Sequence, residues 1–431
     1  MKRIKLNFFL PVLLILLTAL ASCTDDENNE NPTTSSLNAK IMVISDLHIM
    51  DPSLLEADGV AFQTYLAYDR KMLRESVAIS EAMIENVIAK KPNILLVAGD
   101  LTKDGEKVSH VKVASLLQKV KDAGIKVYVI CGNHDNNNPY AVSFNGENTT
   151  PVEQVNPDQF KTIYKNFGYE AAVESDPNSL SYVVEPIAGL SIVVMDVCKY
   201  NPHATAGAFT NSTLEWSLNQ VKKAKAKGNL VLGMLHHGKV EHYTGQKTLF
   251  SEYVIDDWQS VSKQFVEAGL NMVFTGHYHA QDICQYETGS GIMTDVETGS
   301  AVTWPCPIRS VNITAKKVSI TSEFVSSINY DLNGVAFQDY AKAYLTNGMV
   351  NLAGYMLMSP PYNVPQEYIP TLAPAFDNAF VAHYHGDESP SSSDLAIVAQ
   401  VQALNVDLGN ALGSLWTDLK PSDNETEIVL P

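Results

Sequence analysis

Five short blocks in this chain place metal-binding side chains at the exit of an apolar run. They are Asp46-Leu47-His48, Gly99-Asp100-Leu101-Thr102-Lys103-Asp104-Gly105, Gly132-Asn133-His134-Asp135, His236-His237-Gly238 and Gly276-His277-Tyr278-His279. Carboxylates, imidazoles and one carboxamide suit borderline divalent metals. All five, in one order and each after a strand-like segment, point to a two-metal hydrolytic centre. Such a pair of ions holds a phosphoryl group and a hydroxide together.

These side chains need strands that end at one rim. Residues 40–45, 93–98 and 126–131 read as strands, separated by helical patterns at 70–90 and 107–122, the second closed by Gly124. That alternation implies a parallel sheet with right-handed crossovers, whose ligands gather at strand C-termini. Residues 182–185 and 190–195 read as a hairpin. A capping box at Ser212–Glu215 opens a helix, and 230–235 and 272–274 are the last block-bearing strands, with a helix near 257–267 between them. Residues 292–324 alternate as strands do. After about Ser326, stretches 335–358, 366–384 and 393–419 read as helices, broken by prolines.

The blocks resemble the calcineurin-like metallophosphoesterase family, whose pattern runs D-x-H, G-D-x-x-x-D-G, G-N-H-D/E, H and G-H-x-H. The resemblance spans about residues 39–324. It implies an α/β fold, a four-layer α/β/β/α sandwich, here followed by a mostly helical C-terminal domain. It also implies a ligand set. Asp46, His48, Asp100 and His279 would hold one metal; Asp100, Asn133, His236 and His277 would hold the other, with Asp100 bridging. His134 would approach the substrate and assist the leaving oxygen, and Asp135 would hold the His134 ring. His236 is favoured over His237, which is either an outer contact or simply buried. Lys103 stands where purple acid phosphatases carry a ligating Tyr, which argues against that subtype. Mn, Fe and Zn, divalent or trivalent, all fit such sites.

Other residues take plainer readings. His110 reads as a surface or edge residue of its helix, and Asp104, with Gly105, as shaping its loop and at most touching a group behind the ligands. Asp69-Arg70-Lys71 reads as a structural ion pair, with phosphate contact the lesser option. His203 and His242 lie in loops near the site strands, and Asp196 supports a turn. His383-Tyr384-His385-Gly386-Asp387-Glu388 is either a third metal site or a helix cap, the cap being the plainer reading.

The N-terminus reads separately. Lys2, Arg3 and Lys5 precede an apolar run from Phe8 to Leu20, then Leu20-Ala21-Ser22-Cys23. The run is short of the ~20 residues a spanning helix needs, and the pattern resembles a bacterial lipobox. Residues 1–22 are thus expected to be a signal peptide, with Cys23 lipidated and 23–38 an acidic linker. Residues 39–325 would form the catalytic domain and 326–431 the helical one. The location expected is the bacterial cell envelope, extending to the outer membrane and cell surface. Removing the leader lowers Lys+Arg from 30 to 27 while Asp+Glu stays at 48, so the formal charge moves from −18 to −21. Such a surface repels long nucleic acids and admits a small phosphate ester. The four remaining cysteines show no zinc-finger spacing; a Cys284–Cys306 disulfide is one option an exported protein allows.

The function these residues imply is hydrolysis of phosphate esters by a dinuclear-metal enzyme using a metal-activated hydroxide, with phosphodiesters first. Phosphomonoesters or nucleotides are the alternative. A surface lipoprotein that binds without turnover is the rival from another class, and the intact ligand set argues against it.

Overall fold

Strands whose every residue is buried need cover on both faces. Ile94–Ala98 and Leu190–Val194 are such strands, buried throughout, and each sits inside one of two large sheets. The computed structural model describes residues 37–430, apart from Tyr68, Ala315 and Pro361 and the side chains of Thr248 and Leu249. The leader, Cys23 and most of the acidic linker lie outside the described residues.

The first sheet begins with three parallel strands, β1 (Asn38–Ile44), β2 (Ile94–Ala98) and β3 (Lys126–Ile130). Helices α1 (Ser76–Lys90) and α2 (Lys107–Asp122) make the crossovers. The second sheet holds β4 (Glu174–Ser175), β5 (Tyr182–Ile187), β6 (Leu190–Val194), β7 (Leu230–Met234), β8 (Met272–Thr275), β9 (Asp282–Glu287) and β10 (Ile292–Glu297), in the order β9-β10-β8-β7-β6-β5-β4. Strand β11 (Pro307–Thr314) then pairs antiparallel with β1, and β12 (Lys317–Phe324) pairs antiparallel with β11.

Alternation along the second sheet sets the layers. Ile192, Val194, Leu232, Met234 and Phe274 face a core shared with the first sheet, while Val193, Val231 and Val273 face α3 (Asn211–Ala226) and α4 (Trp258–Ala268). The result is the α/β/β/α sandwich. The helix α3 is capped by Thr210, whose hydroxyl accepts from Thr213 N, one turn-start earlier than the Ser212 box suggests.

Four helices follow the sandwich: α5 (Phe337–Met358), α6 (Ile369–His385), α7 (Ser392–Leu404) and α8 (Val406–Ser414). Asn405 caps α8 with its side chain on Leu408 N and so divides what reads as one helix at 393–419. Their core includes Tyr243 and Tyr278 of the sandwich loops. The chain then comes back: β13 (Glu425–Val429) pairs antiparallel with β12 and ends the first sheet. No strand is read there from the sequence, because an edge strand with alternate exposed glutamates lacks an apolar run.

Candidate metal centre

The carboxyl ends of β1, β2, β3, β7 and β8 meet along one rim and bring Asp46, His48, Asp100, Asn133, His236, His277 and His279 together. Asp100 Oδ2 lies 3.2 Å from His236 Nε2 and 3.7 Å from His48 Nε2. His236 Nε2 is also 3.2 Å from Asn133 Oδ1. On the other side, Asp46 Oδ1 is 3.3 Å from His279 Nε2 and 3.7 Å from His48 Nε2. Two groups of ligand atoms result, Asp46–His48–His279 and Asp100–His236–His277.

The backbone bends hard to do this. Asp46, His48, Asp100, His277 and His279 all have positive φ, between 38° and 80°. Side-chain-bearing residues adopt that region at a cost, and such strain gathers at functional sites. Glycines make room for the turns. A Cβ on Gly132 would stand 2.0 Å from Asp100 Oδ1, and one on Gly276 would stand 2.4 Å from Asp46 Oδ2.

Apart from contacts within the ligand set, such as His48 Nε2 to His279 Nε2 at 3.1 Å, hydrogen bonds hold the outward atoms. Asp46 Oδ2 accepts from Ser45 Oγ and His277 N, while Asp46 Oδ1 has no partner and is fully buried. Ring orientation is set from outside. His236 Nδ1 donates to Ala98 O at 2.8 Å, leaving Nε2 inward, and His277 Nε2 donates to Glu252 O at 3.2 Å, leaving Nδ1. His203 Nε2 meets Asn133 O at 2.9 Å and steadies that loop.

Electrostatics match. Burial raises the Asp46 and Asp100 carboxyls, but the surrounding imidazoles, His279 beside Asp46 and His236 beside Asp100, hold both well below the usual range. Burial and the Lys71 charge take His48 down to about 3. Burial takes His279 down to about 4 and His277 well below its ordinary value. Of the four ligand imidazoles only His236 goes up, to about 9, because Asp100 outweighs its burial. Charged carboxylates beside neutral imidazoles are the protonation states of a ligand set, and a dication would replace the His236 proton.

One expected contact is different. Asp135 does not hold the His134 ring. Its Oδ1 accepts from Thr102 N and Oγ1, and its Oδ2 from Leu101 N and Gly132 N. It clamps the loop after β2 to the loop after β3, which is where a carboxylate is needed when two sharp loops leave amides unpaired. The ring is held by Asp104 Oδ1 at 2.9 Å and Lys103 O at 2.6 Å, both on Nδ1. Asp104 is itself fixed by the buried Lys103 ammonium. His110 is no surface residue: it is buried, with Nε2 on Asp135 O at 2.9 Å and Nδ1 on Tyr164 Oη at 2.8 Å. The second Asp of the G-D-x-x-x-D-G block was the available signal for Asp104. His237 is buried, bonds Thr205 O and packs on His277. Asp196 supports its turn, accepting from Leu180 N, Cys198 N and Tyr200 Oη. Cys284 and Cys306 are free and buried, so no disulfide joins them.

A family model described as calcineurin-like phosphoesterase matches residues 39–281. No curated protein matches this sequence. Among solved structures, a dimetal phosphatase from Danio rerio is similar at 13% identity, covering 67% of this chain and 96% of that one, with a TM-score of 0.45. The NAD nucleotidase NadN of Haemophilus influenzae is similar at 12% identity, covering 72% and 55%, with a TM-score of 0.34. GAP50 of Plasmodium, an inner-membrane-complex anchor, is similar at 8% identity, covering 72% and 94%, with a TM-score of 0.37. None of these three likenesses carries a functional argument.

Proposed function

We propose a function from one premise: the chain belongs to the calcineurin-like phosphoesterase family. The reading is a dinuclear-metal hydrolase of small phosphate esters, with phosphodiesters ahead of monoesters. The observation that carries it is Asp100, whose single carboxylate faces His48, His236 and His134 at once. Asp46, His48, Asp100 and His279 would hold one ion; Asp100, Asn133, His236 and His277 would hold the other. When bound, two dications supply Lewis acidity and bring the pKa of bound water toward ~7.

The chain's own residues do the rest. His134 is half-buried, with Nδ1–H committed to Lys103 O and Asp104 Oδ1. Its Nε2, 3.9 Å from Asp100 Oδ2, is the atom that can give a proton to a leaving alkoxide. Burial and Lys71 lower the His134 pKa, but Asp100 and Asp104 outweigh them, so the ring holds its proton above the ordinary range. The Lys71 ammonium acts on His48, His134 and His279 and is paired with Asp69 at 3.2 Å. One partly balanced cation suits the single charge of a phosphodiester better than a monoester dianion.

Helices α5 and α6 share a core with Tyr278, between the two histidines of its loop. They favour a role in narrowing substrate access. Bis(p-nitrophenyl) phosphate and p-nitrophenyl phosphate, each assayed with Mn, Fe or Zn, test the reading. Faster monoester turnover would favour the phosphatase or nucleotidase reading; no turnover with metals bound would leave a binding protein.

The anchor is carried forward on the same footing. Lipidated Cys23 would tie the chain to a membrane of the cell envelope, its acidic linker holding the catalytic part off anionic headgroups. Among the described residues no helix is long and apolar enough to cross a membrane. Full-length protein made in a lipoprotein-processing bacterium should partition into detergent, and Cys23→Ser should not. Wild-type protein recovered with Met1 in place would reject this.

A further inference from the structure

Behind the Gly276–His279 loop lies a second group of donors that the proposed chemistry does not use. Asp282 and Cys284 are alternate residues of β9, and Glu297 and Asp295 stand opposite them on β10. Alternate residues share a face, so three carboxylates and a thiol are gathered on one buried face. Like charges directly opposite destabilise a strand pair, and these are fully buried or nearly so. His242 enters among them from the loop after β7.

His242 lies between two pairs. Its Nδ1 is 3.1 Å from Asp282 Oδ1; its Nε2 is 3.3 Å from Asp295 Oδ2 and 3.4 Å from Glu297 Oε2. Yet neither ring nitrogen makes a hydrogen bond, and neither do the Glu297 oxygens, although all are buried. Distances in range without the required angles leave both ring nitrogens and the Glu297 oxygens unsatisfied, which calls for an explanation. On the Nδ1 side, the donors of His242, Asp282 and Cys284 lie within 4.8 Å of one another. The Cys284 thiol proton is shared between Asp282 Oδ1 at 3.2 Å and His242 O at 3.3 Å, the space a cation would take on loss of that proton.

We propose that His242, Asp282 and Cys284 hold one zinc-class dication, distinct from the dinuclear centre. One thiolate and one carboxylate neutralise the ion, and a neutral imidazole adds a third ligand without charge. Glu297 and Asp295 face the opposite nitrogen and would accept its N–H, as carboxylates behind metal-bound histidines do. The ion would also brace the ligand loop: Tyr243, next to His242, bonds Tyr278 through their hydroxyls at 3.0 Å. His383 of α6 closes the cluster, with Nδ1 on Glu388 and 3.7 Å from Asp282 Oδ2.

The test counts metal on the purified full chain after zinc loading and desalting, and records the visible spectrum after Co2+ exchange. Wild type should bind three equivalents and show a thiolate-to-cobalt band. Cys284→Ser should bind two and lose the band. Asp100→Ala, which vacates the dinuclear centre, should keep one equivalent and the band. A wild-type chain binding one equivalent with the band would support this site and remove the dinuclear reading. Folded Asp100→Ala with no metal, or a cobalt-loaded wild type without the band, would overturn the proposal and leave His242 as a buried imidazolium among carboxylates. Should Cys284→Ser not fold, the Asp100→Ala result decides alone.

Discussion

Asp104 Oδ1 lies 2.9 Å from His134 Nδ1, while Asp135, the neighbour of His134 in the chain, gives both oxygens to the amides of Leu101, Thr102 and Gly132 and the hydroxyl of Thr102. The two carboxylates therefore do different work. One sets a ring, and the other ties together the loops that carry Asp100 and Asn133.

His134→Ala should keep both metals and lose turnover by about 10²–10⁴-fold, the usual worth of a positioned proton donor. Asp104→Asn should lower kcat by about 10–100-fold, since it acts through the ring. It should also move the high-pH limb down, because Asp104 helps His134 keep its proton. Kinetics beside metal analysis check both. A metal-free His134 variant would show its role to be wrong.

Asp100→Ala should lose both ions of the dinuclear centre and essentially all activity. Asp135→Ala should do something else. Four donors lose their acceptor, so stability should fall by several times the ~1 kcal/mol of one net hydrogen bond. Denaturant midpoints with metal counts separate the two variants.

Why Asp104 was missed and Asp46 was not is a matter of geometry. The seven inward residues each follow a strand, and strand exits in a parallel arrangement converge by topology alone. Which carboxylate reaches His134 depends on the loop path after Asp100, whose φ is 45°, and no spacing rule conveys that. His242, Asp282, Cys284, Glu297 and His383 meet only because a hairpin register, a loop and a helix converge. From the sequence Cys284 offers only a disulfide with Cys306, because the partners it meets in the fold are remote in the chain. The edge strand Glu425–Val429 was invisible for a related reason: its pairing with Lys317–Phe324, not its composition, makes it a strand.

Gly132→Ala should abolish metal binding at the dinuclear centre while leaving the far-UV circular dichroism spectrum intact. The added methyl would meet Asp100 Oδ1 at 2.0 Å, closer than any real contact, so the carboxylate or the Gly132 loop must move. A variant with wild-type metal content would show that the loop has slack.

Asp377 sets an expectation for pH. It is buried on α6, its Oδ1 has no partner, and burial pushes its carboxyl up to about 7. Between about pH 4 and 7 the native state holds this proton and the unfolded state does not. Stability should therefore fall as pH rises through that window. Asp377→Asn should remove that slope and stabilise the chain at pH 8 by on the order of 1–2 kcal/mol. Thermal melts of both chains across pH 5–8 are the check. A variant whose melting temperature keeps the wild-type slope would assign the slope to another group.

Lys71 brings a positive charge to the histidines of the centre. Its ammonium is buried beside Asp69 and lowers the pKa of both His48 and His134. Lys71→Met removes one cation from beside these histidines; on the proposed reading that cation also meets the phosphoryl charge, so KM should rise by about 10–100-fold, the worth of a charge-assisted contact. Without that cation His134 keeps its proton to higher pH, and the high-pH limb of kcat should move up. Lys71→Arg should restore much of the KM. If Lys71 served only to pair Asp69, then Lys71→Met combined with Asp69→Asn would recover wild-type kinetics. Persistence of the raised KM and the shifted limb in that double variant is the result expected here, because the cation would still be missing from the substrate's side.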